Sequence, residues 1–167
     1  IPQGKKPVKG RGAISNPRNR FVDQHSEAIH DGWHASESGE DDRVLVRTMV
    51  LKETSRSIIS TNQSPDVPFN KSINPYRGCE HGCIYCYARP THAFWDLSPG
   101  LDFETRIIIK PGADRLLRDT LTQPGYRCEP ICIGSNTDPY QPVEARLNTT
   151  RSLLSVLQEY QHPFSLI

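Results

Sequence analysis

Apolar positions change their rhythm along this 167-residue chain, and the change falls at about Lys71. Before it, residues 1–43 carry few periodic apolar positions and much Gly, Pro, Ser, Asn and charge, which predicts an irregular, mobile leader. Residues 44–70 fall within an extended segment, RVLVRTMVLKET (43–54), and then a polar, Pro-rich loop, SRSIISTNQSPDVPFN. From 71 to 167, where organised structure is expected to begin, short apolar runs alternate with helical repeats. SINPY reads as a short strand, YARPTHAFWDL as a helix weakened by Pro90, and TRIIIK (105–110) as a buried parallel strand ended by Pro111-Gly112. ADRLLRDTLTQ follows with Leu116, Leu117 and Leu121 at helical spacing, and Pro124-Gly125 stops it. EPICIGS is a second buried strand, RLNTTRSLLSVLQEY a second amphipathic helix and HPFSLI a further strand.

Strand and helix in alternation predict an α/β fold, with right-handed βαβ units around a parallel sheet or barrel. Chemistry in such folds sits at the carboxyl ends of the strands. The loop after SINPY and the loop after ICIG both leave from that end.

Charge adds little to this picture except in the leader. The formal net charge is +1, yet residues 1–20 carry six basic side chains and no acid, while residues 21–42 carry seven acids and no Lys or Arg. Such a leader is a solvated pair of balancing halves, or a basic arm for a polyanion. No apolar run is long enough to span a bilayer and no segment reads as a signal peptide, so a soluble, cytoplasmic protein is expected.

The chemistry concentrates in RGCEHGCIYCYARPTH. Cys79, Cys83 and Cys86 form a C-x3-C-x2-C set, with Tyr85 directly before the third cysteine. A structural zinc wants four ligands, and an ordinary iron–sulfur cluster is held by four thiolates. Three thiolates within eight residues therefore suit a cluster with one iron left open. The alternative is zinc completed by His81, which lies inside the loop and is poorly placed to close a tetrahedron with its neighbours. Cys128 and Cys132 read as small strand residues, and His25, His30 and His34 as solvated side chains of the acidic leader. Gly134-Ser135-Asn136-Thr137-Asp138 ends the ICIG strand with hydroxyl, amide and carboxylate groups, an arrangement that serves a ligand or an Asx-type turn into Pro139.

The spacing of the cysteines, with Tyr85, resembles the cluster motif of the radical S-adenosylmethionine (SAM) enzymes. SINPYRG, CYARPTH and GSNTDPYQPVE resemble the branch related to spore photoproduct lyase, and KGRGAISNPRNRF resembles the N-terminal lead of members of that branch. The likeness covers roughly residues 9–167 and is poor from 23 to 43. It implies a partial (β/α) barrel of which the first two or three units are legible here, and hence the N-terminal part of a longer protein. It implies a 4Fe-4S cluster on Cys79, Cys83 and Cys86, whose open iron holds SAM and whose electron cleaves it to methionine and a 5′-deoxyadenosyl radical. It places Tyr85 near the adenine, Tyr87 near SAM, and the loop Ser135, Asn136, Thr137 and Asp138 against SAM, with Thr137 and Asp138 matching a contacting Ser-Asp pair. Arg89 and His92 would bind the SAM carboxylate or substrate, or serve as surface and capping residues. The electron would come from a donor such as flavodoxin or ferredoxin. The substrate is left open, nucleic acid included. One departure bears on the reaction: the lyase has a hydrogen-donating cysteine where this chain has Ser135, so thymine-dimer repair is not expected unless Cys132 takes that part. The competing readings are an iron–sulfur module without SAM chemistry and a zinc-bound structural domain.

Overall fold

The elements from Met49 onward follow from short apolar runs that each find a partner face. In the computed structural model, which describes residues 8–22 and 46–167, seven short strands form two small sheets with no closed barrel among the described residues. The first sheet orders β1 (Met49–Lys52), β5 (Arg106–Ile109) and β4 (Tyr76–Arg77), with β1 and β5 parallel and β4 antiparallel to β5. The second orders β2 (Ile59–Thr61), β3 (Lys71–Ile73), β6 (Ile131–Ile133) and β7 (Phe164–Leu166). Here β3, β6 and β7 are parallel, and β2 lies antiparallel on the outer edge.

Helices α2 (Ala113–Leu121) and α4 (Thr149–Glu159) cover one face of the second sheet. Ile73, Ile131 and Ile133 from the sheet meet Leu117, Leu153 and Leu157 from the helices, all fully buried. Each such side chain contributes roughly 1.5–3 kcal/mol by leaving water. The period of two puts Ser72 and Cys132, paired across β3 and β6, on the opposite face. The expected helix RLNTTRSLLSVLQEY is broken: α3 (Glu144–Leu147) ends at Asn148, which turns left-handed (φ 53°) before α4 starts. Glu144 accepts the amides of Thr150 at 3.0 Å and Arg151 at 3.1 Å, capping α4, and also the hydroxyl of Tyr76.

Further expectations are corrected. Organised structure begins before Lys71, because β1 pairs along its length with β5 and β2 with β3. The polar stretch 55–70 hides Ile58, which is 1% exposed in the core. TRIIIK forms a strand that is parallel to its β1 neighbour, but it joins the first sheet, and β3 pairs directly with β6. A run of three isoleucines suits any buried strand and does not name its neighbour. The segment YARPTHAFWDL is a 3-10 helix, Arg89–Trp95, with Pro90 in its first turn, where the missing N–H costs nothing. It is followed by a short helix, α1 (Leu101–Thr105), that no periodic pattern announces.

Residues 8–22 are irregular, as their composition predicts, but they are packed down and do not form a solvated arm. Asn16 exchanges hydrogen bonds with Asp102 at 2.8 and 2.9 Å, and Asn19 Nδ2 donates to the carbonyls of Ala93 and Leu97. His25, His30 and His34 lie outside the described residues, as does the acidic run.

Candidate functional site at the cysteine loop

Because β3 and β6 run parallel in register Ser72↔Cys132, the chain leaves both at the same end. SINPY is not one strand, however, since β3 ends at Ile73 and the cysteine loop starts after β4 in the first sheet. The Gly134 amide donates to the Ile73 carbonyl at 3.1 Å, closing that end of the sheet.

The cysteine loop needs its two glycines. Gly78 (φ 80°) and Gly82 (φ 68°) are left-handed. A Cβ on Gly78 would lie 2.7 Å from the Phe103 carbonyl oxygen, and one on Gly82 would lie 2.8 Å from the Gly12 nitrogen. Between them, Cys79 is buried and its amide donates to the Phe103 carbonyl at 2.9 Å. Burial raises the Cys79 thiol above its ordinary pKa. Cys83 and Cys86 are half-buried, the Cys86 amide donates to the Cys83 carbonyl at 3.3 Å, and Cys86 packs against the cluster of Cys79, Ala88 and Phe103. All five cysteines are free thiols.

The loop after β6 is latched to this one. Thr137 Oγ1 donates to the Gly78 carbonyl at 2.7 Å, and the fully buried Gln141 donates through Nε2 to the same carbonyl at 3.1 Å. Gln141 Oε1 accepts the Glu80 amide at 3.1 Å, so one side chain holds the backbone on both sides of Cys79. Asn74 bridges from the other side, donating to Ser135 Oγ at 3.1 Å and accepting the Asn136 amide at 2.8 Å. The Tyr87 hydroxyl donates to the Ser135 carbonyl. His81 Nε2 lies 3.1 Å from Asp138 Oδ2, while Asp138 Oδ1 accepts the Tyr140 amide at 2.7 Å, the Asx-type turn foreseen before Pro139–Tyr140.

These contacts bring the sequence-predicted residues together and also occupy several of them. The side chains of Ser135, Thr137 and Asp138 are engaged in holding the two loops, whereas Asn136 is exposed and Tyr85 and Tyr87 are 87% and 76% exposed beside the cysteines. Arg89 turns back into the loop and does not face outward: Nε and Nη2 donate to the Cys83 carbonyl at 3.0 and 2.9 Å, and Nη2 also reaches Glu104. His92 is 1% exposed, stacked edge-on against Phe103, with neither ring nitrogen hydrogen-bonded, and burial pushes its pKa down to about 4. It is a packing residue beneath the loop. Gln141, Asn74 and Glu104 carry much of the site's geometry; Asn74 and Gln141 lie inside the motifs SINPYRG and GSNTDPYQPVE without standing out there, and Glu104 has no sequence signal.

The donor set bears on what the loop could hold. A tetrahedral zinc gathers its ligands to within about 2.0–2.3 Å of one point. Among the described residues no three His, Cys, Asp or Glu side chains are gathered to hold a metal ion, the three cysteines included, and His81 is turned toward Asp138. A cluster distributes its thiolates over several irons and needs no single point of convergence. Three free thiols on one loop, two of them partly open, fit that requirement.

Among the described residues no helix is long and apolar enough to cross a membrane. Curated proteins similar to this chain include "Uncharacterized protein Mb2609c" of Mycobacterium bovis and "Uncharacterized protein Rv2578c" of Mycobacterium tuberculosis, each 41% identical over 101 residues. The aligned part covers 60% of this chain and 30% of each relative, so the chain spans less than a third of the relatives it matches. No family model matches the chain. No solved structure matches it.

Proposed function

We propose that this chain is the cluster-binding part of a radical SAM enzyme of the spore-photoproduct-lyase-like branch. The observation that carries the reading is the docking of the Gly134–Asp138 loop on a loop bearing three free thiols, with Tyr85 and Tyr87 open beside them. Cys79, Cys83 and Cys86 would hold the 4Fe-4S cluster, which when bound supplies the single electron for reductive cleavage of SAM. The residues around it do the rest. Gly78 and Gly82 let the backbone wrap closely, Gln141 and Thr137 hold the turn at Cys79, and the exposed Asn136 with Tyr85 and Tyr87 offers polar and aromatic surface to the cofactor.

The partners follow from that reading: a one-electron donor such as flavodoxin or ferredoxin, and a cytoplasmic setting that keeps thiolates reduced. The substrate belongs to parts of the protein beyond this chain, and nucleic acid remains among the candidates. Repair of thymine photoproducts is not expected, because Ser135 stands where a thiol would return hydrogen and its O–H bond is too strong for that step. Cys132 is enclosed in β6 at 1% exposure.

Anaerobic reconstitution tests the reading. About four irons and four sulfides per chain are expected, lost on Cys79→Ala, Cys83→Ala or Cys86→Ala, with SAM binding to the reconstituted protein. Stoichiometric zinc in protein purified without oxygen, with no absorbance near ~400 nm after reconstitution, would overturn it.

A further inference from the structure

We infer that the N-terminal segment Arg11-Gly12-Ala13 is a positioning element of the cysteine loop, acting on Cys83 through Glu104 and Arg89. The functional consequence rests on the cluster reading above, whereas the contact geometry does not. Glu104 is fully buried at the end of α1, in a place where a carboxylate needs every lone pair answered. Its Oε2 accepts the Gly12 amide at 2.9 Å, and its Oε1 accepts the Ala13 amide at 2.9 Å together with Arg89 Nη2. Arg89 in turn makes its paired bonds to the Cys83 carbonyl at 3.0 and 2.9 Å. Arg11 closes the other side: Nη1 donates to the main-chain carbonyl of Glu104 at 2.6 Å and Nη2 to Thr48 Oγ1 at 2.7 Å.

The segment also touches the loop directly. A Cβ on Gly12 would stand 1.8 Å from the Gly82 carbonyl oxygen, so that position admits only glycine without displacing the backbone between two of the cysteines. The loop's own backbone offers little to replace this hold, since Cys86 to Cys83 is a single bond of 3.3 Å. Gln141 fixes the loop at Cys79, and the leader fixes it at Gly82 and Cys83. A segment some seventy residues upstream in the sequence thus holds the backbone that carries the second thiol.

The test uses the 167-residue chain, with Gly12→Ala and Arg89→Lys as variants and Ile14→Ala, at a half-exposed neighbour, as control. In metal-free, reduced protein the alkylation rate of each cysteine is followed by mass spectrometry, with buried Cys132 reporting on the fold. In both variants Cys83 is expected to react roughly tenfold faster through local opening while Cys132 stays protected, and the control should match the parent. On reconstitution the same variants should take up less iron and give a broadened reduced-cluster signal in electron paramagnetic resonance. A Cys83 rate within about twofold of the parent, in a variant whose Cys132 is protected, overturns the inference. If Gly12→Ala opens Cys132 as well, the overpacked chain has lost its fold and Arg89→Lys decides alone: no change, or a joint rise of Cys83 and Cys132, overturns the inference. A parent that takes up no cluster sinks the proposed function and leaves the alkylation result to judge the clamp.

Discussion

The sheet-and-helix half of the molecule and the cysteine half are held together by different physics. In the first, α2 and α4 lie on β3 and β6 through isoleucines and leucines with no exposed surface. In the second, the cysteine loop, the loop after β6, the 3-10 helix, α1 and the leader are joined by single side chains, each tying two or more groups: Gln141, Asn74, Arg89 and Glu104. Apolar packing is non-directional and sums over many contacts, so it tolerates local change and fails as a whole. A hydrogen-bonded loop is directional, so losing one side chain misplaces a few residues and leaves the body standing.

The sharpest way to break that contrast is a cavity in the first half. Leu153→Ala removes a fully buried side chain from α4 and is expected to cost about 4 kcal/mol of global stability. Hydrogen exchange should rise together across β3, β6, α2 and α4. A loss confined to α4 would show that this half is not one cooperative unit.

The next effect depends on pH and belongs to the cysteine half. His92 stays neutral in the folded chain down to about pH 4, whereas a histidine in the unfolded chain takes up its proton near pH 6.5. Below about pH 6.5 the unfolded state therefore binds more protons, and stability falls as pH drops toward about 4. The gap from 6.5 to about 4 corresponds to roughly 3 kcal/mol at its limit. His92→Leu removes two buried, unpartnered nitrogens and should be no less stable than the parent at pH 7. Urea titrations of both proteins at pH 7 and pH 4.5 should show the variant gaining on the parent as pH falls. An unchanged difference between the two pH values would mean that the ring is already charged or already wet.

The contrast also explains what could be read in advance. Helices α2 and α4 are legible because burial on one face imposes a period on the sequence, and β5 and β6 because they are short, continuous apolar runs. Strand β7 is legible as an apolar run too, although its three residues are exposed. The shared end of β3 and β6 follows from that reading, and so does the meeting of the two loops. Partner choice is another matter: three consecutive isoleucines at 107–109 specify burial but not that β1 and β4 are their neighbours. The leader and α1 leave no period, because Glu104 and Gly12 matter through a few specific contacts and not through a repeated pattern. Arg89 and His92 carry the same lesson, since their place after the cysteines leaves a ligand-facing role and a surface or capping role equally open, and both instead turn inward as supports.

A smaller effect separates the latch from the body. Gln141→Leu fills the space but leaves the Glu80 amide and one acceptor site of the Gly78 carbonyl without their partner, at about 2 kcal/mol of local stability. The Glu80 amide should exchange faster while Ile133 keeps its protection. Equal acceleration at both positions would mean that Gln141 supports the whole fold and not the cysteine loop alone.

The smallest effect is expected at the exposed tie between the loops. Tyr87 donates its hydroxyl to the Ser135 carbonyl from a ring that is 76% exposed, so water competes for both groups. Removing the hydroxyl with Tyr87→Phe should change global stability by less than about 1 kcal/mol. It should still be visible locally, because Asn74 alone would then hold the Ser135–Asn136 corner. A shift of the Asn136 amide resonance and its faster exchange, at an unchanged midpoint of unfolding, is the expected pair of results. If the Asn136 amide does not move, the buried bonds of Thr137 and Gln141 fix the loop unaided, and the two tyrosines beside the cysteines are free to turn toward whatever binds there.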